Sequence, residues 1–318
     1  MSSVNISTSS LSIVIPIYNE EKNIMAFFKR LIPIISDLTQ NYEVIFCLDP
    51  STDNSEKIII DLGTTDSRIK MLKFSRRFGQ PAATMAGILH TKSARCVVID
   101  VDLQDPPELI KDMYQKMDQG FDVVYAVRIN RAGETVVKKV ISKLGYKVIN
   151  YLSDVEIPRD TGDFRIISRR IIEEIRSLSE THGFLRGLVA FVGFNQTYIE
   201  YERDKRYSGK GNYNRFFGSL RIGLNGLIGF SSKPLNIMSM LGMIISGIGF
   251  ILGIWYFLQH LFGIPLTAGL TTTVIFITFF SGIQLLSLGL IGEYVSRIYD
   301  EVKRRPMYII DTKMNFNE

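Results

Sequence analysis

The chain has 318 residues, of which 46% are hydrophobic and 22% are charged, and its formal net charge is +5. This length allows one large domain or two smaller ones. Residues 203–233 hold seven Lys or Arg and one acid, so the basicity is a local patch. Such a patch excludes an evenly basic, nucleic-acid-binding surface and suits anionic lipid headgroups or an anionic lipid substrate.

The predicted elements begin after a polar, Ser-rich tail at residues 1–10. Over residues 11–205, short apolar runs alternate with amphipathic segments. The predicted strands are 11–18, 42–49, 69–74, 96–102 and 122–128, and the predicted helices are 20–38, 53–63, 81–91 and 107–119. This alternation indicates an α/β domain in which helices cover both faces of a mostly parallel sheet. We expect Cys47 and Cys96, which lie in predicted strands, to be reduced packing residues in a cytoplasmic domain.

Polar clusters follow four of the predicted strands, at the edge of the sheet where ligands bind in such folds. They are YNEE after the first strand, DPSTD after the second, DVDLQD after the fourth, and Arg128 and Arg131 after the fifth. Each cluster also has a structural interpretation. Asn19 can open a helix, Asp53 can cap one, and Pro106 suits a helix start. Because four successive strand ends carry such clusters, we favour a binding site.

The DVDLQD cluster places three carboxylates within six positions. Like charges this close repel, so a cation, hydrogen bonds or solvent must offset the repulsion among Asp100, Asp102 and Asp105. The D-x-D pair and Gln104 form an oxygen-rich set that suits Mg²⁺ or Mn²⁺ together with substrate phosphates. A metal there would stabilise charge on a departing diphosphate. D-x-D alone is a weak signal, but D-x-D-L-Q-D-P after IVIPIYNE and STDNS is a strong one.

Residues 206–232 form a basic juxtamembrane segment. Within 213–230, apolar residues recur at helical spacing, which is typical of a helix lying in the membrane interface; packing against the domain is the alternative. The basic side chains that we assign to the lipid phosphate and the membrane surface are Arg206, Lys210, Arg215 and Arg221.

Residues 233–292 predict two transmembrane helices, because no Asp, Glu, Lys or Arg lies between Lys233 and Glu293. The spans are expected at about 235–258 and 269–292, and a buried hairpin in a soluble core is the alternative. Lys and Arg flank both spans but are missing from the loop between them, which predicts cytoplasmic termini in a plasma or inner membrane. Residues 293–318 are then a cytoplasmic tail.

Motifs along residues 11–310 resemble those of the family-2, GT-A-type polyisoprenyl-phosphate glycosyltransferases, which include bactoprenol glucosyltransferases and dolichol-phosphate mannose synthases. They are SIVIPIYNEEKNI, LDPSTDNS, FSRRFGQPAATMAGI, DVDLQDPPELI, DTGDFRIISRR, HGFLRGLVAFVGF and GEYVSRIYDEVKRRPMY. The resemblance implies a GT-A, Rossmann-like fold. It also implies transfer of a hexose from a nucleotide-sugar to the phosphate of a membrane polyprenol, with inversion. Its bactoprenol branch favours UDP-glucose over GDP-mannose.

The resemblance also implies roles for single residues. The nucleotide-binding set is Pro16, Tyr18, Glu20, Asp49 and Asp100, the metal-binding set is Asp100, Asp102 and Gln104, and the catalytic set is Asp163, Asp102, Arg128, Arg131 and Arg186. Asp163 matches the carboxylate usually proposed as a base. Since a phosphate monoester has a second pKa near 6, we expect Asp163 chiefly to orient a substrate group. Surface salt bridges are the alternative role for Arg128, Arg131 and Arg186.

The sequence departs from the family pattern at several positions. Pro50 stands where Gly is common, Asn212 where Lys is common, and Arg77 and Gln80 where Asn and Lys are more usual. These changes concern individual contacts rather than the reaction class. His182 lacks ligand spacing to another His, so we expect a structural hydrogen bond there.

Two other functions remain as alternatives. A processive polysaccharide synthase is disfavoured because the Trp of its usual Q-x-x-R-W motif has no counterpart; the single Trp, Trp255, lies inside a span. The second alternative is a catalytically silent membrane protein that binds nucleotide-sugars or polyprenyl lipids, against which the complete D-x-D set and Asp163 argue. The expected partners are a nucleotide-sugar, polyprenyl phosphate and the bilayer, with a homo-oligomer as one candidate state.

Overall fold

The computed structural model describes residues 10–129, 161–178, 185–204, 229, 231–262 and 269–316. The chain divides into two compact units. The described residues up to Asp204 and from Arg305 onward belong to the first unit, and those from Gly229 to Arg304 belong to the second.

The first unit contains eight described strands and six described helices. The strands are β1 (Leu11–Ile17), β2 (Tyr42–Leu48), β3 (Ile69–Phe74), β4 (Arg95–Val98), β5 (Val123–Arg128), β6 (Thr161–Ser168), β7 (Gln196–Tyr201) and β8 (Ile310–Met314). The helices are α1 (Glu21–Leu38), α2 (Ser55–Thr65), α3 (Gln80–His90), α4 (Leu109–Asp118), α5 (Arg169–Ser177) and α6 (Leu185–Val192). All eight strands form one sheet in the order β7-β5-β6-β4-β1-β2-β3-β8.

The sheet has a parallel centre and mixed flanks. Strands β3, β2, β1 and β4 run parallel, and β5 runs parallel to β7. Strand β6 is antiparallel to both β4 and β5, and β8 is antiparallel to β3. Four of the seven strand pairs are therefore parallel, which confirms the predicted α/β class.

The central strands β1 and β2 are apolar except for the buried Ser12 and Glu43, because helices cover both faces of the sheet. On one face, Phe27 and Leu31 of α1 pack with Ile13 in the main core. On the other face α3 lies very close to the sheet, since a Cβ built at Gly87 would be 2.2 Å from Val14 Cγ1. Cys47 is a fully buried free thiol, and so is Cys96. Burial raises the pKa of Cys96, which fits an unreactive packing residue.

The five strands and four helices predicted in residues 11–128 are all present, with small changes at their ends. The largest difference is in β4, which ends at Val98 rather than at residue 102. The chain leaves the sheet there because the acidic residues that follow occupy turns, with Leu103 in the left-handed region at a φ of 60°. The elements β6, β7, β8, α5 and α6 were not predicted from the sequence pattern.

The second unit contains two long described helices, α7 (Lys233–Leu261) and α8 (Leu270–Val302). Both have a mean hydropathy of 2.2 over an 18-residue window and are long enough to cross a membrane. None of either window is buried within the chain, which argues against a buried soluble hairpin. Helix α8 runs ten residues past the predicted end of its span, and the next proline is Pro306.

After α8 the chain returns to the first unit. Strand β8 pairs with β3 at the edge of the sheet, with Met314 opposite Met71. The side chain of Asn315 donates hydrogen bonds to the carbonyls of Gly63 and Ile69, each at 2.8 Å. Part of the segment expected as a tail is therefore a strand of the sheet.

Candidate active site at the carboxyl edge of the sheet

The loops after β1 and β2 are joined by hydrogen bonds at the carboxyl edge of the sheet. Asn19, at a φ of 54°, receives a hydrogen bond from Thr52 N at 2.8 Å and donates its own N–H to Ser51 Oγ at 3.0 Å. Asp53 accepts N–H groups from Glu21 and from Ser55, each at 3.0 Å. Burial alone would raise the pKa of Asp53, but hydrogen bonds from the Ser55 side chain and from these two N–H groups hold it below the usual value. Asp53 thus binds the N–H of the first residue of α2, but the N-cap position predicted for it is occupied by Asn54.

Tyr18 lies at the end of β1 beside Arg77. The Arg77 guanidinium lies 3.8 Å from the centroid of the Tyr18 ring, which is cation–π geometry. Pro16 lies in β1 opposite Cys47, and the Glu20 carboxylate accepts a hydrogen bond from its neighbour in α1, Asn23. Pro16, Tyr18 and Glu20 therefore lie in or just after β1, next to the pair formed by the Tyr18 ring and the Arg77 guanidinium.

Asp49 holds the loop that precedes α3. Its two carboxylate oxygens accept the backbone N–H groups of Phe78 and Gly79, each at 2.9 Å, and only 2% of the residue is exposed. Gly79 has a φ of 89°, which only glycine adopts without strain. The turn places Gln80 so that its Nε2 donates to Asp100 Oδ1 at 2.8 Å. Asp49 therefore fixes the loop that positions Gln80 against Asp100 of the D-x-D pair.

The D-x-D pair lies just beyond the end of β4. Asp102 is 8% exposed, and its Oδ1 accepts the N–H of Gln104 at 3.1 Å. Burial raises the pKa of Asp100 to about 8, and the charges of Asp163, Asp105 and Asp102 add to this effect. The carboxylates around Asp100 therefore carry more negative charge than the hydrogen-bond donors and cations of the protein offset there.

Asp163 lies in β6 and pairs with Arg186 of α6 at 2.9 Å. Burial alone would raise the pKa of Asp163, but the charges of Arg186 and then Arg165 hold it below the usual range. Arg165 is itself buried, which lowers its pKa to about 10, and it donates to the carbonyl of Gly162 at 3.0 Å. Asp163 is therefore an arginine-bound carboxylate whose pKa lies below the usual range, which makes it a weak base.

The structure brings most of the predicted residues to one edge of one sheet. Those described at this edge are Pro16, Tyr18, Glu20, Asp49, Asp100, Asp102, Gln104, Arg128, Asp163 and Arg186. Those outside the described residues are Arg131, His182, Arg206, Lys210, Asn212, Arg215 and Arg221.

Three residues that join the site were not predicted: Gln80 as a partner of Asp100, Arg165 behind Asp163, and Tyr201 beside Arg128. Arg165 lies within the DTGDFRIIS motif, so its sequence position offered a signal. Tyr201 ends the run QTYIEY, which is mixed in polarity and carries no motif, and only the pairing of β7 with β5 places it near the site.

The acidic side chains fit a divalent cation that is shared with a phosphate ligand. Among the described residues, no three His, Cys, Asp or Glu side chains form a metal-binding group of their own. Mg²⁺ and Mn²⁺ commonly bind through one or two protein carboxylates plus substrate phosphates. The excess negative charge around Asp100 is what such an ion would offset.

Comparison with known proteins gives matches over most of the chain. Residues 12–176 match the glycosyl transferase family 2 profile. An uncharacterized glycosyltransferase of Bacillus subtilis (strain 168) is 43% identical over 299 residues, which are 94% of this chain and 92% of the relative. An SfII prophage-derived bactoprenol glucosyl transferase of Shigella flexneri is 36% identical over 301 residues, which are 94% of this chain and 97% of the relative.

A solved structure gives a likeness in fold. Glucosyl-3-phosphoglycerate synthase from Mycobacterium tuberculosis, in complex with phosphoglyceric acid, aligns with a TM-score of 0.50 and 18% identity. The alignment covers 70% of this chain and 79% of that chain. The same synthase with Mn²⁺, UDP and glucosyl-3-phosphoglycerate aligns with a TM-score of 0.48 and 19% identity, over 70% of this chain and 81% of that chain.

The profile match runs from β1 into α5 and so includes the strand ends that carry the D-x-D pair and Asp163. The alignments with the two relatives cover 94% of the chain and so extend well beyond the matched domain. The chain therefore belongs to family 2 of the glycosyltransferases, has a GT-A-type fold, and is an enzyme that transfers a sugar.

Proposed function

We propose that the enzyme transfers glucose from UDP-glucose to a membrane polyprenyl phosphate, with inversion at the anomeric carbon. The observation that carries this proposal is that the D-x-D pair and the arginine-bound Asp163 lie at the same edge of one sheet. The same chain has two apolar helices that are long enough to cross a membrane. The names of several relatives support glucose and a bactoprenol acceptor.

On the donor side, Asp100, Asp102 and Gln104 would hold Mg²⁺ or Mn²⁺ together with the diphosphate. A bound divalent ion supplies charge stabilisation for the departing nucleotide. Tyr18 and the Arg77 guanidinium stacked on it offer a flat, cationic surface for the nucleotide. Gln80 holds one oxygen of Asp100 and thereby fixes the direction of its other oxygen.

On the acceptor side, an oxygen of the lipid phosphate attacks the anomeric carbon of the glucose. The bond from that carbon to the UDP oxygen breaks, and UDP leaves with the electron pair. The acceptor needs no base at neutral pH, because the second pKa of a phosphate monoester is near 6. Arg128 and Arg186 would reduce the repulsion between the two anionic substrates, and Asp163 would orient Arg186 and a sugar hydroxyl.

The path of the chain supports cytoplasmic termini. The chain leaves the first unit after Asp204, forms α7 and α8, and re-enters the same sheet as β8. A chain that returns to the same folded unit must cross a bilayer an even number of times. Two crossings with Lys and Arg on the domain side also satisfy the positive-inside rule.

The test is sugar transfer by the purified full-length protein in detergent or nanodiscs. Radiolabelled UDP-glucose and GDP-mannose are offered separately with polyprenyl phosphate, and label in the organic phase is counted. We expect transfer from UDP-glucose, loss of transfer in excess chelator, and loss of at least about a hundredfold in Asp100→Ala/Asp102→Ala. Asp112→Asn, an exposed position on α4, is the control and keeps its activity.

Three outcomes would contradict the proposal. Transfer from GDP-mannose alone would make the enzyme a mannosyltransferase. Undiminished turnover in chelator would exclude the metal-assisted mechanism. Nucleotide-sugar binding without transfer of any label to the lipid would favour a silent binding protein.

A further inference from the structure

Asp105, the last carboxylate of DVDLQD, has a separate set of partners from the D-x-D pair. Its side chain is 1% exposed, and a buried carboxylate is stable only when it is paired or hydrogen-bonded. The hydroxyl of Tyr201 donates a hydrogen bond to Asp105 Oδ1. Guanidinium nitrogens of Arg128 and Arg203 each lie 3.5 Å from the same oxygen. Hydrogen bonds and arginines within the protein therefore offset this third charge.

Tyr201, at the end of β7, joins Asp105 to Arg128. Its hydroxyl accepts a hydrogen bond from Arg128 Nε at 3.1 Å and donates its own proton to Asp105. Burial and then the charge of Asp105 raise the pKa of Tyr201, so the phenol keeps the proton that it donates. The Tyr201 ring packs edge to face on Phe164, with centroids 6.5 Å apart. The position of the hydroxyl is thus fixed by packing as well as by hydrogen bonds.

Gly162 leaves the space in which the end of the Arg128 side chain lies. A Cβ built at Gly162 would be 2.7 Å from Arg128 Nη2 and 3.4 Å from Arg128 Cζ. The first distance is too short for two nonbonded atoms. Because a guanidinium is the mobile end of a long side chain, we expect it to move before the backbone of β6 does. An alanine here would therefore displace Arg128 at little cost to the fold.

We infer that Asp105 and Tyr201 are positioning residues that hold the Arg128 guanidinium in the orientation that meets a substrate phosphate, and that Gly162 keeps the space for it. The inference rests on the proposed function, in which Arg128 contacts an anionic substrate. A guanidinium recognises phosphate through N–H donors in a fixed plane, so its orientation decides whether two bonds form or none. Tyr201 and Asp105 fix that plane from one side, which leaves the other N–H groups for the ligand.

The first test compares Tyr201→Phe with Tyr198→Phe on the same strand, in the full-length enzyme. Tyr198 is 53% exposed and stacks on Tyr125, so it is a matched control for the loss of one hydroxyl. We expect Tyr201→Phe to lower kcat/KM for UDP-glucose by about tenfold and Tyr198→Phe to stay within about twofold of wild type. Equal activity of the two variants would overturn the inference.

The second test asks whether Tyr201 acts through Arg128. In an Arg128→Ala background, Tyr201→Phe should cost less than about twofold, because the group that it positions is gone. The same tenfold loss in that background would show a role in the fold alone and would overturn the inference. If Tyr201→Phe does not fold, Gly162→Ala takes its place and is compared in the same way, with and without Arg128→Ala.

A structural readout separates this inference from the proposed function. If the wild-type enzyme transfers no glucose to polyprenyl phosphate, the proposed function fails. A crystal or cryo-EM structure of Tyr201→Phe still decides the inference. A reoriented Arg128 guanidinium supports it, and an unchanged one overturns it.

Discussion

At the scale of single residues, the carboxylates at this edge of the sheet divide into two groups. Asp49 and Asp53 accept backbone N–H groups from neighbouring loops, and Asp105 is bound by Tyr201. Asp100 instead accepts a neutral amide from Gln80 and lies among like charges, which is why its pKa rises while that of Asp53 falls. Donors within the protein therefore satisfy Asp49, Asp53 and Asp105, whereas the excess negative charge around Asp100 is left for a ligand to offset.

Asp163 gives a prediction about pH. Its pKa is lowered, so the carboxylate is already ionised below neutral pH, and a carboxylate with a lowered pKa is a poor base. We expect Asp163→Asn to lower kcat by at least about tenfold, with a pH–rate profile parallel to that of wild type from about pH 6 to 9. The acid limb of both profiles should follow the acceptor phosphate, whose second pKa is near 6.

The measurement is the initial rate of lipid glucosylation at saturating substrates, with Asp112→Asn as the control for loss of a surface carboxylate. A defect that disappears at high pH would mean that Asp163 removes a proton that hydroxide can remove instead. Orientation would then be the wrong role for this side chain.

At the scale of elements, strand β8 joins the segment after α8 to the sheet of the first unit. It pairs with β3, and the carbonyl of Ile309 accepts the N–H of Ser75, the residue just after β3. Tyr308 packs on Phe74 with ring centroids 5.9 Å apart. The segment after α8 therefore supports the start of the loop that carries Arg77 and Gln80 to the site.

Asn315 gives the prediction for this element. Its side chain donates two hydrogen bonds to backbone carbonyls, and its φ of 61° is a conformation that Asn tolerates better than Ala. We expect Asn315→Ala to destabilise the domain by about 1–3 kcal/mol, which lowers Tm by roughly 2–8 °C. Thermal unfolding of the full-length protein measures this, with Lys313→Gln as an exposed control on β8. An unchanged Tm for Asn315→Ala would mean that β8 adds little to the stability of the sheet.

At the scale of the whole molecule, the chain path links membrane topology to the fold. Residues on both sides of the helical pair belong to one sheet, so the number of crossings is even whatever the charge bias of the flanks. The apolar windows of α7 and α8 are not buried within the chain, and lipid is the environment that suits such exposed surface.

Topology can be measured directly. We expect protease to remove tags at both termini in inside-out vesicles and to leave them intact in right-side-out vesicles. A single cysteine placed between residues 263 and 268, in a variant without Cys47 and Cys96, should react with an impermeant maleimide only from the opposite side. Tags that lie on opposite sides of the membrane would contradict the even number of crossings.

Much of the fold could be predicted from the sequence because its signals are local. Near-continuous apolar runs predicted β1 to β5, and uncharged runs predicted α7 and α8. Strand β8, which was not predicted, is short and mixed in polarity, with the sequence IDTKM. Such a strand forms because the edge of β3 offers unpaired backbone groups, which no local pattern records.

The sequence by itself determined the kind of chemistry, because D-x-D at a strand end and the order of the motifs are patterns of neighbouring residues. Only the tertiary structure decided how the charges are shared. Asp105 meets Tyr201 from 96 positions away, and Asp163 meets Arg186 from 23 positions away. Whether a carboxylate serves a loop, an arginine or a ligand depends on the donors within about 3 Å of it, and folding brings those donors from distant parts of the chain.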